Sequence, residues 1–200
     1  MPRIQSVIFD ADGMIIDRTL RFSERFSREF DVPIGKMSGF FEGPFKKCRV
    51  GKADLRVELQ PYLTLWKWKG TVDELLVYWL EGEGKPNKLF LTELETLRRN
   101  GVSCYLATDN EKYRSEHLKY TLGLEKLFDG VFSSADFGTV KSEVAFWEQV
   151  FVIVGDHMRK DEVLVWDDDE QNIITAKTFG FNAELYTDFA SYKNKMKTLL

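Results

Sequence analysis

Asp10 and Asp12 stand two residues apart at the end of an apolar run, Val7-Ile8-Phe9-Asp10-Ala11-Asp12-Gly13. Two carboxylates so close need something to hold them together, and a hard cation with oxygen ligands, Mg²⁺ foremost, meets that need. Three later stretches carry chemistry that answers this one. Val102-Ser103-Cys104-Tyr105-Leu106-Ala107-Thr108-Asp109-Asn110 is apolar and ends in a hydroxyl. Lys141 lies just ahead of a helical stretch from Glu143 to Val152. Val163-Leu164-Val165-Trp166-Asp167-Asp168-Asp169 runs into three aspartates, with Asn172 shortly after.

The elements that must position these groups follow from the pattern. Short β-branched and apolar runs bounded by polar residues read as strands buried on both faces, which is the mark of a parallel sheet. Open sheets of that kind place their ligands beyond the carboxyl ends of the strands, where Asp10, Thr108 and Asp167 fall. From Leu89 onward the pattern predicts a helix to Arg99 stopped by Asn100-Gly101, then strand 102–107, helix 112–122, strand 130–133, helix 143–154, strand 163–166, helix 171–179, strand 182–186 and helix 189–199. Such alternation implies right-handed crossovers and a doubly covered sheet. Residues 18 to about 85 are different: they show helical spacing without clear strands. Leu20, Phe22, Phe26 and Phe30 share one face. Ser38 and Thr71 are candidate helix caps, Ala53 to Leu65 is a further amphipathic stretch, and Leu75, Leu76, Trp79 and Leu80 form a buried side. Glu81-Gly82-Glu83-Gly84-Lys85-Pro86-Asn87 reads as a linker.

Composition narrows the function classes. With 200 residues, 44% hydrophobic and 30% charged, the chain is expected to form one soluble core domain plus a modest insertion. No apolar stretch approaches the roughly 20 residues that span a bilayer. The early first strand leaves no room for a signal peptide. Cys48 and Cys104 are far apart and predict no disulfide framework, so the expected location is the cytoplasm. A net charge of −4 argues against nucleic acid and no membrane partner is expected; a monomer or homodimer is. Residues 18–88 carry 14 Lys+Arg against 10 Asp+Glu, a basic bias that could draw in an anionic substrate. His117 and His157 have no zinc spacing and read as surface residues. There is no glycine-rich dinucleotide or nucleotide phosphate loop.

The ordered set of Asp10-x-Asp12, Thr108, Lys141 and Asp167-Asp168 resembles the four motifs of the haloacid dehalogenase (HAD) superfamily, and the resemblance spans almost the whole chain. It implies an α/β fold: a Rossmann-like parallel sheet flanked by helices, residues 1–17 and 86–200, with an inserted α-helical cap at 18–85 that closes over the site. It further implies an Mg²⁺-dependent phosphomonoester hydrolase acting on a small phosphorylated metabolite. Asp10 is then the nucleophile that forms an aspartyl phosphate, and Asp12 the general acid and base, giving the metal only its backbone carbonyl. Thr108, with the backbone of Asp109 beside it, binds the transferring phosphoryl group, and Lys141 balances charge between it and Asp10. Asp168 is the expected direct metal ligand and Asp167 acts through water or Lys141. Asp169 stands where the family often has a small polar residue and adds charge or serves structurally, and Asn172 is expected to bond backbone in the loop or to open the following helix. One departure from the family pattern is Ser142, where proline commonly follows the lysine; serine could cap the following helix instead.

The stretch Phe40 to Arg49 reads as a loop rich in aromatics and bases, with Lys46, Lys47 or Arg49 as candidate substrate contacts and Trp66 and Trp68 as candidates to flank the mouth. Against these stands ordinary packing by the aromatics. The spacing of the insertion loosely resembles phosphatases of small sugar phosphates. A dehalogenase has no alcohol to protonate, so Asp12 speaks against that branch. A phosphomutase of the β-phosphoglucomutase type would keep every motif, and a non-catalytic binding module on this fold is a further alternative.

Overall fold

In the computed structural model, which describes residues 3–17, 20–156 and 158–199, Ser6–Asp10 forms strand β1 with all five residues buried. Its apolar side chains alternate between two helical layers. Val7 and Phe9 join a core with Phe90, Leu94, Leu97, Tyr192 and Met196, while Ile8 joins one with Phe146, Trp147, Val150, Ile173 and Ala176. The other strands are β2 (Ile16–Asp17), β3 (Lys85–Pro86), β4 (Ser103–Thr108), β5 (Gly130–Ser133), β6 (Val163–Asp167) and β7 (Asn182–Leu185). Five of them make a parallel sheet in the order β5-β4-β1-β6-β7. The chain first builds outward from β1 on one side and then crosses to the other. The crevice this reversal opens lies at the carboxyl ends of β1, β4 and β6.

The sheet is covered by α7 (Lys88–Arg99) and α12 (Phe189–Leu199) on one face and by α10 (Val144–Val154) and α11 (Glu170–Phe179) on the other. Between β4 and β5 come α8 (Lys112–Glu116) and a wide π turn, His117–Thr121, where a single α-helix was expected; α9 (Ser134–Phe137) follows β5. His117 is half-buried in that turn rather than on the surface, and His157 lies outside the described residues.

Among the described residues between β2 and β3 the regular elements are helices: α1 (Phe22–Phe30), α2 (Gly35–Glu42), α3 (Pro44–Arg49), α4 (Leu55–Leu59), α5 (Tyr62–Leu65) and α6 (Val72–Glu81). These pack on a core of their own that includes Phe22, Phe26, Phe40, Trp66, Leu75 and Trp79. Phe22 stacks on Trp79 at 4.2 Å between ring centroids, and Phe26 on Phe30 at 4.6 Å. Thr71 caps α6 as expected, accepting the amide of Glu74 in a reciprocal capping box.

Several local expectations are corrected. Phe40 to Arg49 is not a loop but the end of α2 and all of α3, with Pro44 at the first helical position of α3, where its missing N–H costs nothing. Ala53 to Leu65 is two short helices, broken at Pro61, which has no N–H to continue the ladder. Ser38 lies inside α2 and its hydroxyl donates to the Gly35 carbonyl, so it caps nothing. The stretch 81–87 is not a plain linker. Lys85–Pro86 pairs antiparallel with Ile16–Asp17, and Asn87 bonds the carbonyl of Ile15 through its backbone and Asp17 through its side chain. This ribbon forms a neck between the helical segment and the sheet.

Candidate active site

Asp10 ends β1 on the same face as Ile8, and Asp167 ends β6 on the same face as Val163 and Val165. Lys141 enters that face from the turn before α10. Its ammonium donates to Oδ1 of Asp10 and, at 2.7 Å, to Oδ2 of Asp167. The turn is held by Trp147, whose indole N–H donates to the Lys141 carbonyl at 2.7 Å, and by Thr175, whose hydroxyl donates to the Ser142 carbonyl at 3.2 Å. These two bonds stiffen the turn. Ser142 does not cap α10: the cap position is Glu143, with no side-chain cap bond.

Asp167 is saturated. Besides Lys141 it accepts the amide of Asp169 at 2.9 Å and the side-chain amide of Asn172 at 3.1 and 3.2 Å. Asn172 thus serves the carboxylate rather than the backbone, while Asp169 caps α11 by accepting the Gln171 amide. Asp168, by contrast, is exposed to the cavity. One oxygen from each of Asp10, Asp167 and Asp168 lies within 4.8 Å of the others, a geometry able to hold a metal ion. The donors are all carboxylate oxygens, which suits a hard cation. Lys141 pairs with two of these carboxylates, those of Asp10 and Asp167. Gly13 makes room for the cluster. It has φ +101°, and a Cβ there would sit 2.5 Å from Oδ2 of Asp168.

Burial above all raises the Asp10 carboxyl well above the usual carboxylate range; Lys141 pulls it back, and Asp167 and Asp168 push it further up. Burial works against the charged form of Lys141, but Asp10, Asp167 and Asp109 outweigh it and hold the ammonium above its ordinary value. Lys141 therefore stays charged at neutral pH.

Asp12 follows a different path. Its Oδ1 accepts from Nη2 of Arg114 and its Oδ2 from Nδ2 of Asn110, both at 2.6 Å. Its carboxylate stands outside the three-aspartate cluster. Asn110 also donates to the Thr108 hydroxyl at 2.6 Å, tying the end of β4 to Asp12. The Asp109 side chain accepts the Lys141 backbone amide at 2.9 Å and pairs with Arg49 at 3.3 Å.

These residues line a cavity of about 570 Å³ between the sheet edge and the helical segment. Asp10, Asp12, Thr108, Asp109, Lys141, Asp167 and Asp168, predicted from sequence, all meet there. Of the expected contacts from the helical segment only Arg49 does. Lys46 and Lys47 are exposed elsewhere, Trp66 is fully buried in its own core with its indole N–H on the Lys36 carbonyl, and Trp68 packs beside Thr71. The wall facing the aspartates is instead Phe22, Phe41, Phe45 and Trp79. Arg114, Asn110 and Glu83 were not assigned roles from sequence. Arg114's only signal is its place one turn into the helix after the Thr108 loop, which many surface arginines share.

No family model matches the chain. Solved structures do share its fold. An HAD-family enzyme from Bacteroides thetaiotaomicron superposes with a TM-score of 0.83 at 15% identity, over 97% of this chain and 98% of that one. Another structure of that enzyme is a complex with magnesium and inorganic phosphate. A predicted HAD-like family hydrolase from Porphyromonas gingivalis gives 0.80 at 17% identity, over 98% and 97%. The L-2-haloacid dehalogenase of Xanthobacter autotrophicus gives 0.64 at 17%, over 98% and 83%. The fold is therefore that of the HAD enzymes, a five-stranded parallel sheet flanked by helices.

Proposed function

We propose that this chain is an Mg²⁺-dependent phosphomonoester hydrolase of the HAD type, acting on a small phosphorylated metabolite. One observation carries the reading: Asp10 belongs to a metal-type carboxylate cluster while Asp12, two residues on, is held outside it in the same cavity. A nucleophile and an acid with separate duties need that division. The magnesium and phosphate in the Bacteroides relative support it.

Bound at Asp10 and Asp168, with the backbone carbonyl of Asp12, Mg²⁺ would screen repulsion between the entering phosphate and the carboxylates. A carboxylate oxygen of Asp10 attacks phosphorus, the ester P–O bond breaks, and Asp12 gives its proton to the departing alkoxide oxygen. Asp12, now a carboxylate, takes a proton from water, whose oxygen attacks the same phosphorus. Inorganic phosphate leaves and Asp10 is restored. Lys141 orients Asp10 through Oδ1 and offsets charge at the phosphoryl group, and the Thr108 hydroxyl donates to its oxygens. The segment 18–85 serves as the cap that encloses the substrate, with Arg21 and Arg49 among its residues at the cavity. A dehalogenase releases halide and has no use for an acid at Asp12, which favours the phosphatase over that branch of the fold.

The test is phosphate release from a panel of sugar phosphates, nucleotides and an aryl phosphate, with Mg²⁺ and with EDTA. Release that needs Mg²⁺, and that Asp10→Asn abolishes while its circular dichroism stays native, is the expected result. Full turnover by Asp10→Asn would sink the mechanism. Transfer of the phosphoryl group to a second hydroxyl, without release, would replace hydrolase by mutase.

A further inference from the structure

Arg114 is buried in a way that packing does not explain. Its side chain is 5% exposed, and its Nε and Nη1 groups are enclosed without a hydrogen-bond partner among the described residues. A buried guanidinium with unsatisfied N–H groups destabilises a fold, so its retention points to a use. Nη2 is the engaged nitrogen, at 2.6 Å from Oδ1 of Asp12 and 3.3 Å from the carbonyl of Glu83. The backbone of Arg114 is fixed as well: Glu111 caps α8 by accepting the Arg114 amide at 2.6 Å. The second oxygen of Asp12 is tied to Asn110. The Asp12 carboxylate is thus clamped at both oxygens by groups from the β4–α8 connection and α8.

Without that clamp, a carboxylate two residues from Asp10 would be drawn to the same divalent cation. A metal-bound carboxylate cannot hold the proton that a leaving alcohol needs. We propose that Arg114 is a positioning residue that keeps the Asp12 side chain off the metal and turned to the leaving-group oxygen. This rests on the phosphatase reading above. The Arg114 guanidinium bonds Asp12 and the Glu83 carbonyl, outside the three-aspartate cluster.

The experiment compares kcat/KM, which reports steps up to phosphorylation of Asp10, for an alkyl phosphate and for p-nitrophenyl phosphate. The alkoxide needs an acid to leave; the nitrophenolate does not. Arg114→Met is expected to lose roughly a hundredfold or more on the alkyl ester, the scale of general acid catalysis, and under about tenfold on the aryl ester. Arg114→Lys, which keeps a charge but only a point donor, should recover part of the alkyl loss, and it carries the test alone if the Met variant does not fold. In an Asp12→Asn background, Arg114→Met should add no further leaving-group selectivity. Equal losses on both esters would overturn the assignment and make Arg114 a phosphate ligand or a structural residue; no loss on either would make it a bystander. If the wild-type protein releases no phosphate with Mg²⁺, the phosphatase reading falls first and this assignment with it.

Discussion

At the scale of single residues, the cavity sorts carboxylates by what surrounds them. Asp167 has four donated hydrogen bonds and Asp168 is open to the cavity, although they are neighbours at the end of one strand. Glu111 shows how far enclosure can go. It caps α8 by accepting the amides of Tyr113 and Arg114, yet burial outweighs both bonds and raises its carboxyl to about 7. A carboxyl raised above its unfolded value near 4.5 stabilises the fold fully below that value and loses the contribution as pH rises through about 7. Glu111→Gln cannot ionise. The gap in unfolding free energy between wild type and variant should therefore shift by about 2 kcal/mol in the variant's favour from pH 5 to pH 8, measured by urea denaturation. A gap that stays constant across that range would show that Glu111 titrates normally in the folded protein.

At the scale of elements, the neck decides how the helical segment meets the sheet. Gly84 precedes β3 with φ +100°, and a Cβ there would fall 2.1 Å from the Asp17 carbonyl across the ribbon. Alanine must therefore both adopt a left-handed backbone and push the two strands apart. Gly101, at φ +77°, faces open space, with no heavy atom within 4 Å of where a Cβ would stand. Gly84→Ala should cost about 1–3 kcal/mol of stability through strain, and more than Gly101→Ala, where only the backbone cost of about 1–2 kcal/mol applies. Equal losses for the two in urea would show that the ribbon yields freely. Beyond the neck, the segment is fastened by side chains from both sides: the Ser134 hydroxyl donates to the Arg49 carbonyl at 2.6 Å, and the Tyr113 hydroxyl donates to Asp54 at 2.8 Å.

At the scale of the whole molecule, the described residues form three hydrophobic cores: two sandwich the sheet and the third belongs to the helical segment. Among the described residues, no helix is long and apolar enough to cross a membrane. Folding alone brings Asp10, Asp167 and Asp168 together in a geometry able to hold a metal ion. Mg²⁺ should accordingly raise the melting temperature, with a gain of about 2.7 kcal/mol at a hundred times its dissociation constant, and EDTA should reverse it. An unchanged melting curve at saturating Mg²⁺ would mean that the cluster does not bind this ion, whatever the activity assays report.

Most of the sheet, and the strand-end acids at its carboxyl edge, are legible in the chain itself. Strand and helix periods are local, and a strand that ends in aspartate places that aspartate at the sheet edge whichever partner it finds. Strand ends therefore bring Asp10, Thr108, Asp167 and Asp168 to one edge, whereas Lys141 is singled out only by the resemblance of the ordered motifs. Other features depended on partners distant in sequence. Trp66 is a residue type that suits a cavity wall, but it sits in the third core, while Phe22 and Trp79 take that wall. Ser142 stands where a cap would suit, yet Thr175 and Trp147 hold its turn. Arg114 looks like any helical arginine until Asp12, 102 residues away in sequence, is brought against it. Local pattern determines which face of an element is apolar and where a strand stops; only the packing of one element on another decides which buried charge meets which.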